Sequence, residues 1–325
     1  MVGSRRDVIF RIWRLGAALL AWLRFMSSWL ALPRLASSWL ALPWLALLWL
    51  PLGCDRAAPA PSEGDVRLVS LTPAVTETLL AIGVREQLVG VSTYCELPTG
   101  EPARPRLGTA LTPELEAIVR ARPTHILSER HVGARSEGLA RVAPLTELPW
   151  LTLQDIAAST RTLGRIAGHP REAEALAQRY ERELAPAPER EGPRTLLVLG
   201  GPPTPTLSEV WFVKRGSIHG ALIDALGARH AVLRDVAGVP RLSVDEVIRI
   251  DPEVIVILVL PGPGAAQAAR GAWERLTPLT ALGAGRLHVL EAREAFSNGP
   301  SILELKPKLR ALLSAPQAPS GEQGD

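Results

Sequence analysis

Residues 247–258 read VIRIDPEVIVIL, and residues 118–127 read IVRARPTHIL. Each stretch holds the last turn of a helical pattern, then a proline, then a run of apolar residues. Proline ends a helix because it lacks the backbone N–H that the helix needs. The unbroken apolar run Val254–Leu260 is typical of a strand buried on both faces of a parallel sheet. Because this order occurs twice, the sequence predicts two lobes of α/β architecture.

Strand and helix patterns alternate on both sides of these stretches. In residues 66–153 the predicted strands are 66–71, 89–91 and 124–127, and the predicted helices are 74–82 and 113–120. In residues 194–325 the predicted strands are 195–199, 254–260 and 287–290, and the predicted helices are 218–226, 244–250 and 302–313. This alternation favours mostly parallel sheets covered by helices, with an N-terminal lobe at 66–153 and a C-terminal lobe at 194–325.

Residues 154–193 form a predicted connecting region between the lobes. Apolar side chains recur there at helical spacing, at Ala173, Leu176, Ala177, Tyr180 and Leu184. The pattern predicts one long amphipathic helix over 155–185, which ends at the proline-rich residues 186–193. The expected fold class is α/β, with two Rossmann-like lobes joined by a long rigid helix.

The charge of the chain is unevenly distributed. The 325 residues carry 36 Lys+Arg and 33 Asp+Glu. Residues 1–53 hold six arginines and one aspartate, which leaves 30 basic and 32 acidic side chains in residues 54–325. A body with a net charge of −2 excludes the basic surface that a nucleic-acid-binding protein needs to neutralise phosphates.

Residues 1–53 have the pattern of an export leader. The segment starts with Arg5 and Arg6, repeats SSWLALP at 27–33 and 37–43, and continues as the uncharged run 35–53. A basic start, an apolar run and a small residue at the cut are typical of a secretory signal. Residues 50–54 read LPLGC, which resembles the lipobox of bacterial lipoproteins and predicts lipidation at Cys54.

Two alternatives stay open for this leader. The apolar run is also about as long as the ~20 residues that span a bilayer, so an uncleaved membrane anchor fits the same pattern. The arginine pair Arg5 and Arg6 resembles a twin-arginine export signal, and the general secretory route is equally compatible. Residues 54–65 are rich in Ala, Pro, Ser and Gly and predict a flexible tether. Both alternatives predict a body outside the cytoplasm, tethered to a membrane.

Four segments in order resemble one protein family. They are RLVSLTPAVTE at 67–77, LVGVSTY at 88–94, GSIHGALI at 216–223, and SVDEV at 243–247 followed by DPEVI at 251–255. They are similar to helical-backbone (class III) periplasmic binding proteins, the solute receptors of ABC importers for vitamin B12, haem and ferric siderophores. The resemblance covers about residues 66–313, and the vitamin B12 receptors are the most similar. It implies a ligand cleft between the lobes and noncovalent binding of a corrinoid or ferric chelate by a monomer.

The resemblance also implies docking on a permease dimer with its ATPase. In this family one acidic residue of each lobe faces arginines of the permease. Glu77 fits the first-lobe position, and either Asp245 or Glu246 fits the second. From the residues alone, Glu77 near the start of its helix also fits a simple role of complementing the helix dipole.

A flat macrocycle or iron chelate needs aromatic faces and a few polar groups. Tyr94, Trp211 and Phe296 lie in segments that match the family's cleft, so we expect them to contact the ligand. The loop in which the B12 receptor has a tryptophan reads Glu129-Arg130-His131, an ionisable trio that suits a charged chelate or a haem propionate. His131 with Tyr94 fits ligation of haem iron, which makes a haem receptor the first alternative.

Several classes of site are excluded by the sequence. There is no G-x-S-x-G, no phosphate-loop motif and no H-E-x-x-H, so we expect neither an enzyme nor a bound cofactor. No H-x-H or H-x-x-x-H pair occurs, so we expect no metal site. Cys95, one of only two cysteines, is expected to be a small buried apolar group. A tethered module that binds another protein is the remaining alternative.

Overall fold

The computed structural model of the protein describes residues 66–130, 136–189, 191–200, 207–236, 238–276 and 279–314. The predicted leader and tether, with Cys54, lie outside these ranges, and so does His131. Two sheets and the helices around them make up the described chain. The mixed α/β fold with two predominantly parallel sheets is confirmed.

The first sheet has four parallel strands in the order β2-β1-β3-β4. They are β1 (Leu68–Ser70), β2 (Leu88–Val91), β3 (His125–Glu129) and β4 (Leu145–Leu148). The helices between them are α1 (Pro73–Ala81), α2 (Leu115–Ala121) and α3 (Ser136–Ala140). Helix α1 starts with Pro73 at its first position, where the missing N–H costs no intrahelical bond.

The second sheet has six strands, with three parallel and two antiparallel pairings. It follows the order β10-β9-β5-β6-β8, and β7 pairs with the start of β5. The strands are β5 (Arg194–Leu199), β6 (Glu209–Phe212), β7 (Arg229–His230), β8 (Arg241–Ser243), β9 (Val254–Val259) and β10 (Leu287–Glu291). Strands β6 and β8 pair antiparallel, and neither was predicted. All six residues of β9 are buried, as the apolar run indicated.

The helices of the second sheet are α6 (Ile218–Ala225), α7 (Val244–Ile250), α8 (Ala265–Trp273), α9 (Thr280–Gly283) and α10 (Leu305–Leu313). Two short 3₁₀ turns, Arg293–Phe296 and Pro300–Glu304, join β10 to α10. The predicted last helix, 302–313, is thus a 3₁₀ turn that continues into an α-helix. Among the described residues, no helix has the length and apolarity required to cross a membrane.

The prediction of one continuous helix between the lobes is wrong. The segment forms α4 (Leu153–Ala167) and α5 (Pro170–Glu183), which pack extensively against each other. Gly168 takes a left-handed conformation with φ 80° and ends α4, and Pro170 starts α5. The apolar residues on which the prediction rested, from Ala173 to Leu184, all lie after Pro170, so their periodicity carried no information about the break.

One apolar core connects both sheets. It includes Leu68 and Leu127 of the first sheet, Leu197 and Val256 of the second, and the fully buried Tyr180 of α5. Trp150 and Trp273 are buried. Cys95 is buried too, which was the expectation from the sequence. The helix pair α4 and α5 therefore packs into a core that it shares with both sheets.

Candidate functional site

The first sheet presents Tyr94 at the carboxyl end of its edge strand. Tyr94 follows β2, where parallel α/β sheets commonly place ligand-binding loops. Its side chain is 74% exposed, whereas the neighbouring Cys95 is buried against the hydroxyl of Thr76 at 3.0 Å. Burial raises the pKa of the Cys95 thiol, with partial compensation by the Thr76 hydrogen bond. Cys95 therefore anchors the loop, and Tyr94 is free to contact a ligand.

The structure brings Phe296 into the neighbourhood of Tyr94. Arg293 of the 3₁₀ turn forms an ion pair with Glu96, two residues after Tyr94. Phe296 ends the same turn, and its side chain is 37% exposed. Because the ion pair ties the two loops together, two of the three predicted ligand-contacting aromatics lie on adjoining segments.

Trp211 belongs to β6 and lies at the rim of a cavity in the second sheet. The cavity has a volume of about 650 Å³ and lies at the carboxyl ends of β5 and β9, under α8. Its lining includes Gly200, Trp211, Leu260 and Trp273, together with alanines of α8. The Arg241 guanidinium lies 5.8 Å from the centre of the Trp211 ring, a cation–π geometry that holds the indole on the sheet.

The predicted ionisable trio is only partly described. Glu129 ends β3, and Arg130 is exposed just beyond it, with its N–H donating to the Leu148 carbonyl at 2.8 Å. His131 lies outside the described residues. Glu129 and Arg130 therefore lie at the same carboxyl edge of the first sheet as Tyr94. Strand β1 separates their strand, β3, from β2. Within the described chain, no cluster of His, Cys, Asp and Glu could hold a metal ion.

Glu77 is engaged inside the molecule. It lies on α1, and its carboxylate accepts hydrogen bonds from the Ser297 hydroxyl and, at 2.6 Å, from the Ser301 N–H. Glu77 belongs to the helix after β1, whereas both serines lie beyond β10. The carboxylate thus joins elements of the two sheets.

The two candidate acids of α7 differ in their surroundings. Glu246 accepts from the N–H and hydroxyl of Ser243 at 2.9 and 3.2 Å, and it pairs with Arg234 at 2.7 Å. The Ser243 N–H, ahead of the other contacts, holds the pKa of Glu246 below its usual range. Asp245 is exposed in the first turn of the same helix. The structure therefore leaves Asp245 as the more accessible carboxylate.

Glu116 of α2 occupies the position that corresponds to Asp245 of α7. The two helices can be superimposed by sequence, since LEAIVRARP at 115–123 matches VDEVIRIDP at 244–252. Both end in a left-handed residue before the proline, Arg122 with φ 45° and Asp251 with φ 43°. Sequence analysis missed Glu116, although extending the compared stretch upstream by three residues would have aligned it with Asp245.

The match between these helices includes which side chains are buried. Ile118 and Val247 are buried at equivalent positions. Val119 and Ile248, one residue later, are 54% and 36% exposed. Each helix thus exposes side chains of the same three classes at equivalent positions: an acid, a β-branched aliphatic residue and an arginine. We call these sets the α2 triad (Glu116, Val119, Arg120) and the α7 triad (Asp245, Ile248, Arg249).

The chain is similar in sequence and in fold to known proteins. A family model described as periplasmic binding protein matches residues 68–270, more than half of the chain. The Vitamin B12-binding protein of Pectobacterium atrosepticum is 28% identical over 203 residues, which are 59% of this chain and 71% of that protein. The periplasmic heme-binding protein HutB of Vibrio cholerae has a TM-score of 0.64 at 21% identity, covering 78% of this chain and 100% of that chain.

A periplasmic heme-binding protein from Pseudomonas aeruginosa is similar to the same extent. Its TM-score is 0.61 at 23% identity, and the match covers 78% of this chain and 95% of that chain. At these identities the two solved structures show a shared fold. Proteins of the matched family are substrate-binding proteins rather than enzymes, and they work outside the cytoplasm. The chain belongs to the periplasmic binding protein family, in its helical-backbone class III.

Proposed function

We propose that this protein captures a corrinoid or a ferric chelate and delivers it to the permease of an ABC importer. The observation that carries the proposal is the similarity to a Vitamin B12-binding protein over 203 residues, within a family match that includes strands of both sheets. The exposed Tyr94 and the adjoining Phe296 supply aromatic faces for a flat ligand. Trp211 supplies a third at its cavity.

The ligand contacts are assigned to three aromatic and three polar residues. Tyr94, Phe296 and Trp211 pack on the ligand, and Glu129, Arg130 and His131 contact its polar groups. A haem ligand is the alternative that the exposed phenol of Tyr94 favours, because phenolate is one of the groups that hold haem iron in proteins. Membrane attachment through a lipid on Cys54 keeps the receptor near its permease.

Docking on the permease uses the α2 triad and the α7 triad. The two triads have the same residue classes at the same helical positions, which suits a partner that presents the same surface twice, such as a permease dimer. Glu116 and Asp245 steer the approach toward basic residues, and Val119 and Ile248 supply apolar contact. Glu116 takes the first-lobe role in this proposal, because the Glu77 carboxylate is already bonded to Ser297 and Ser301.

The test is a titration of the full-length chain in detergent with cyanocobalamin, haemin and several ferric siderophores. All of these ligands absorb visible light, so equilibrium dialysis reports binding without relying on tryptophan fluorescence, which the six leader tryptophans would dominate. Saturable binding of a corrinoid or ferric siderophore at micromolar concentration supports the proposal. Selective binding of haemin supports the haem alternative. No binding by any of them contradicts solute capture and favours the protein-partner module.

A further inference from the structure

The segment 292–304 belongs to the second sheet by sequence but bonds to the first. It begins with the Ala292 N–H donating to the Val259 carbonyl of β9 at 3.0 Å. Its later contacts reach the other sheet's elements: Arg293 pairs with Glu96, and the Trp150 indole N–H donates to the Asn298 carbonyl at 3.0 Å. We call this segment the strap.

Glu77 provides the cap that the strap lacks. The 3₁₀ turn Pro300–Glu304 has Gly299 at its N-cap position, and glycine has no side chain to accept a hydrogen bond. The orphan N–H of Ser301 instead donates to the Glu77 carboxylate of α1 at 2.6 Å. A carboxylate is also favoured at the start of a helical segment by the positive end of the helix dipole.

Gly299 leaves space for this carboxylate because it has no side chain. A Cβ at Gly299 would overlap with Oε2 of Glu77 and lie 2.9 Å from the Ser297 hydroxyl oxygen. The backbone of Gly299 is extended, with φ −89°, so the glycine is not required by its own conformation. The available space, occupied by Glu77, explains the absence of a side chain there.

The strap carries Phe296 one residue before Ser297, to which Glu77 is bonded. On the other side, Glu96 of the strap's ion pair lies two residues from Tyr94. We infer that Glu77 is a positioning residue: by capping Pro300–Glu304 across the two sheets, it fixes the spacing of the sheets and the placement of Phe296 opposite Tyr94. Glu77 is then an internal latch and has no contact with the permease. Its effect on affinity rests on the proposed function, whereas its effect on spacing does not.

The latch is tested with spin labels on the full-length chain. Val119→Cys and Ile248→Cys place exposed labels on helices of the two sheets, in a Cys54→Ala background, and the remaining Cys95 is buried. The unaltered latch gives one narrow distance distribution. Glu77→Ala broadens it or adds a second distance. Glu77→Ala also weakens solute binding by about tenfold, as expected for one lost capping interaction.

Gly299→Ala is the second variant, because it keeps Glu77 and displaces its carboxylate. It should reproduce both effects, and the double variant should be no worse than either single one. The matched control Glu137→Ala removes an exposed carboxylate of α3, which has no role in binding, and should change neither readout. Unchanged distances in Glu77→Ala and Gly299→Ala, with only a lower melting temperature, would overturn the latch and leave a local cap. Additive effects of the two substitutions, or an equal effect of Glu137→Ala, would overturn it as well.

The distance measurement needs no ligand. If the protein binds none of the three ligand classes, the proposed function fails, and the label distances still decide whether Glu77 sets the spacing of the sheets. If a ligand binds equally well to all variants while the distances change, solute capture stands and the positioning of Phe296 by Glu77 is wrong.

Discussion

Arg67 and Arg194 make the same contact in the two halves of the molecule. Arg67 precedes β1 and donates to the carbonyls of Ala121 and Arg122 at 2.7 and 3.0 Å. Arg194 starts β5 and donates to the carbonyls of Ile250 and Asp251 at 3.0 and 2.8 Å. These carbonyls end α2 and α7, where a helix has acceptors without intrahelical partners. The repeat therefore extends from the sequence to individual hydrogen bonds.

We expect Arg67→Ala and Arg194→Ala each to destabilise the fold. Removing a guanidinium leaves two helix-terminal carbonyls to water and should lower the free energy of unfolding by about 1 kcal/mol for Arg67. Arg194 also pairs with Glu253 at 3.1 Å, so its loss should cost about 2 kcal/mol. Urea unfolding measures both. Because the two residues share no partner, the double variant should be additive within about 0.5 kcal/mol, and a strong deviation would contradict the independence of the two halves.

Helix-terminal contacts of this kind could not be predicted from the sequence, although the repeated stretches could. The proline after each helix and the apolar run after it fix the local order of elements, which is why α2, α7, β3 and β9 were found. The pairing partners of Arg67 depend on which strand lies beside which helix, and that information is not local. The antiparallel strands β6 and β8 were missed because both are short and each follows residues typical of loops: β6 comes after the glycine- and proline-rich segment 200–206, and β8 comes directly after Gly238-Val239-Pro240.

Docking on the permease should depend on Glu116 and Asp245 in equal measure. Each substitution to Ala should weaken binding of the receptor to the permease in a nanodisc by about tenfold, mainly through a slower association rate. The effect should shrink at high salt, because the steering charges are then screened. Glu137→Ala, which removes an exposed carboxylate from α3 of the same sheet, is the matched control and should bind as the unaltered protein does. An intact association rate in Glu116→Ala would rule out the α2 triad.

Val119→Ser and Ile248→Ser should weaken the same complex without changing its salt dependence. Both side chains are exposed beside the docking acids, and their loss removes apolar contact rather than charge. Surface plasmon resonance should show faster dissociation of about threefold to tenfold for each. Leu233→Ser, at a 68% exposed aliphatic side chain outside the triads, serves as the control. Equal effects from Leu233→Ser would mean that the measured loss is not specific to the triads.

Solute affinity should fall when the cleft aromatics are removed. We expect about tenfold weaker binding for Tyr94→Ala and Phe296→Ala, because each loses the face of one aromatic ring against the ligand. Tyr94→Phe should leave the affinity for a corrinoid unchanged and abolish the affinity for haem, because only the phenol can ligate iron. Isothermal titration with both ligands distinguishes the two cases. Unchanged affinity in both alanine variants would show that the ligand does not contact these loops.

The residues of the candidate site differ in how much of their surroundings the sequence reveals. Tyr94 was proposed as a ligand contact because it lies in a segment that matches the family's cleft, and its 74% exposure is compatible with that proposal. Glu77 was interpreted as a docking residue because its position in the family motif is visible in the sequence. Its partners Ser297 and Ser301 lie more than 200 residues away, so the sequence could not reveal these internal hydrogen bonds.

His219 should make the stability of the fold depend on pH. Its Nε2–H donates to the Ala295 carbonyl at 2.7 Å, and its ring is buried beside the strap. Burial lowers the pKa of His219, and the hydrogen bond offsets this only in part. The unfolded chain therefore takes up a proton below pH ~6.5 that the folded chain resists, so the free energy of unfolding should fall as the pH drops from 7 toward 5.

His219→Gln keeps an N–H for Ala295 and should flatten this dependence in urea unfolding at several pH values. His288, whose pKa is also lowered by burial, leaves a smaller residual slope in that variant. A slope equal to that of the unaltered protein would show that His219 does not titrate in this range.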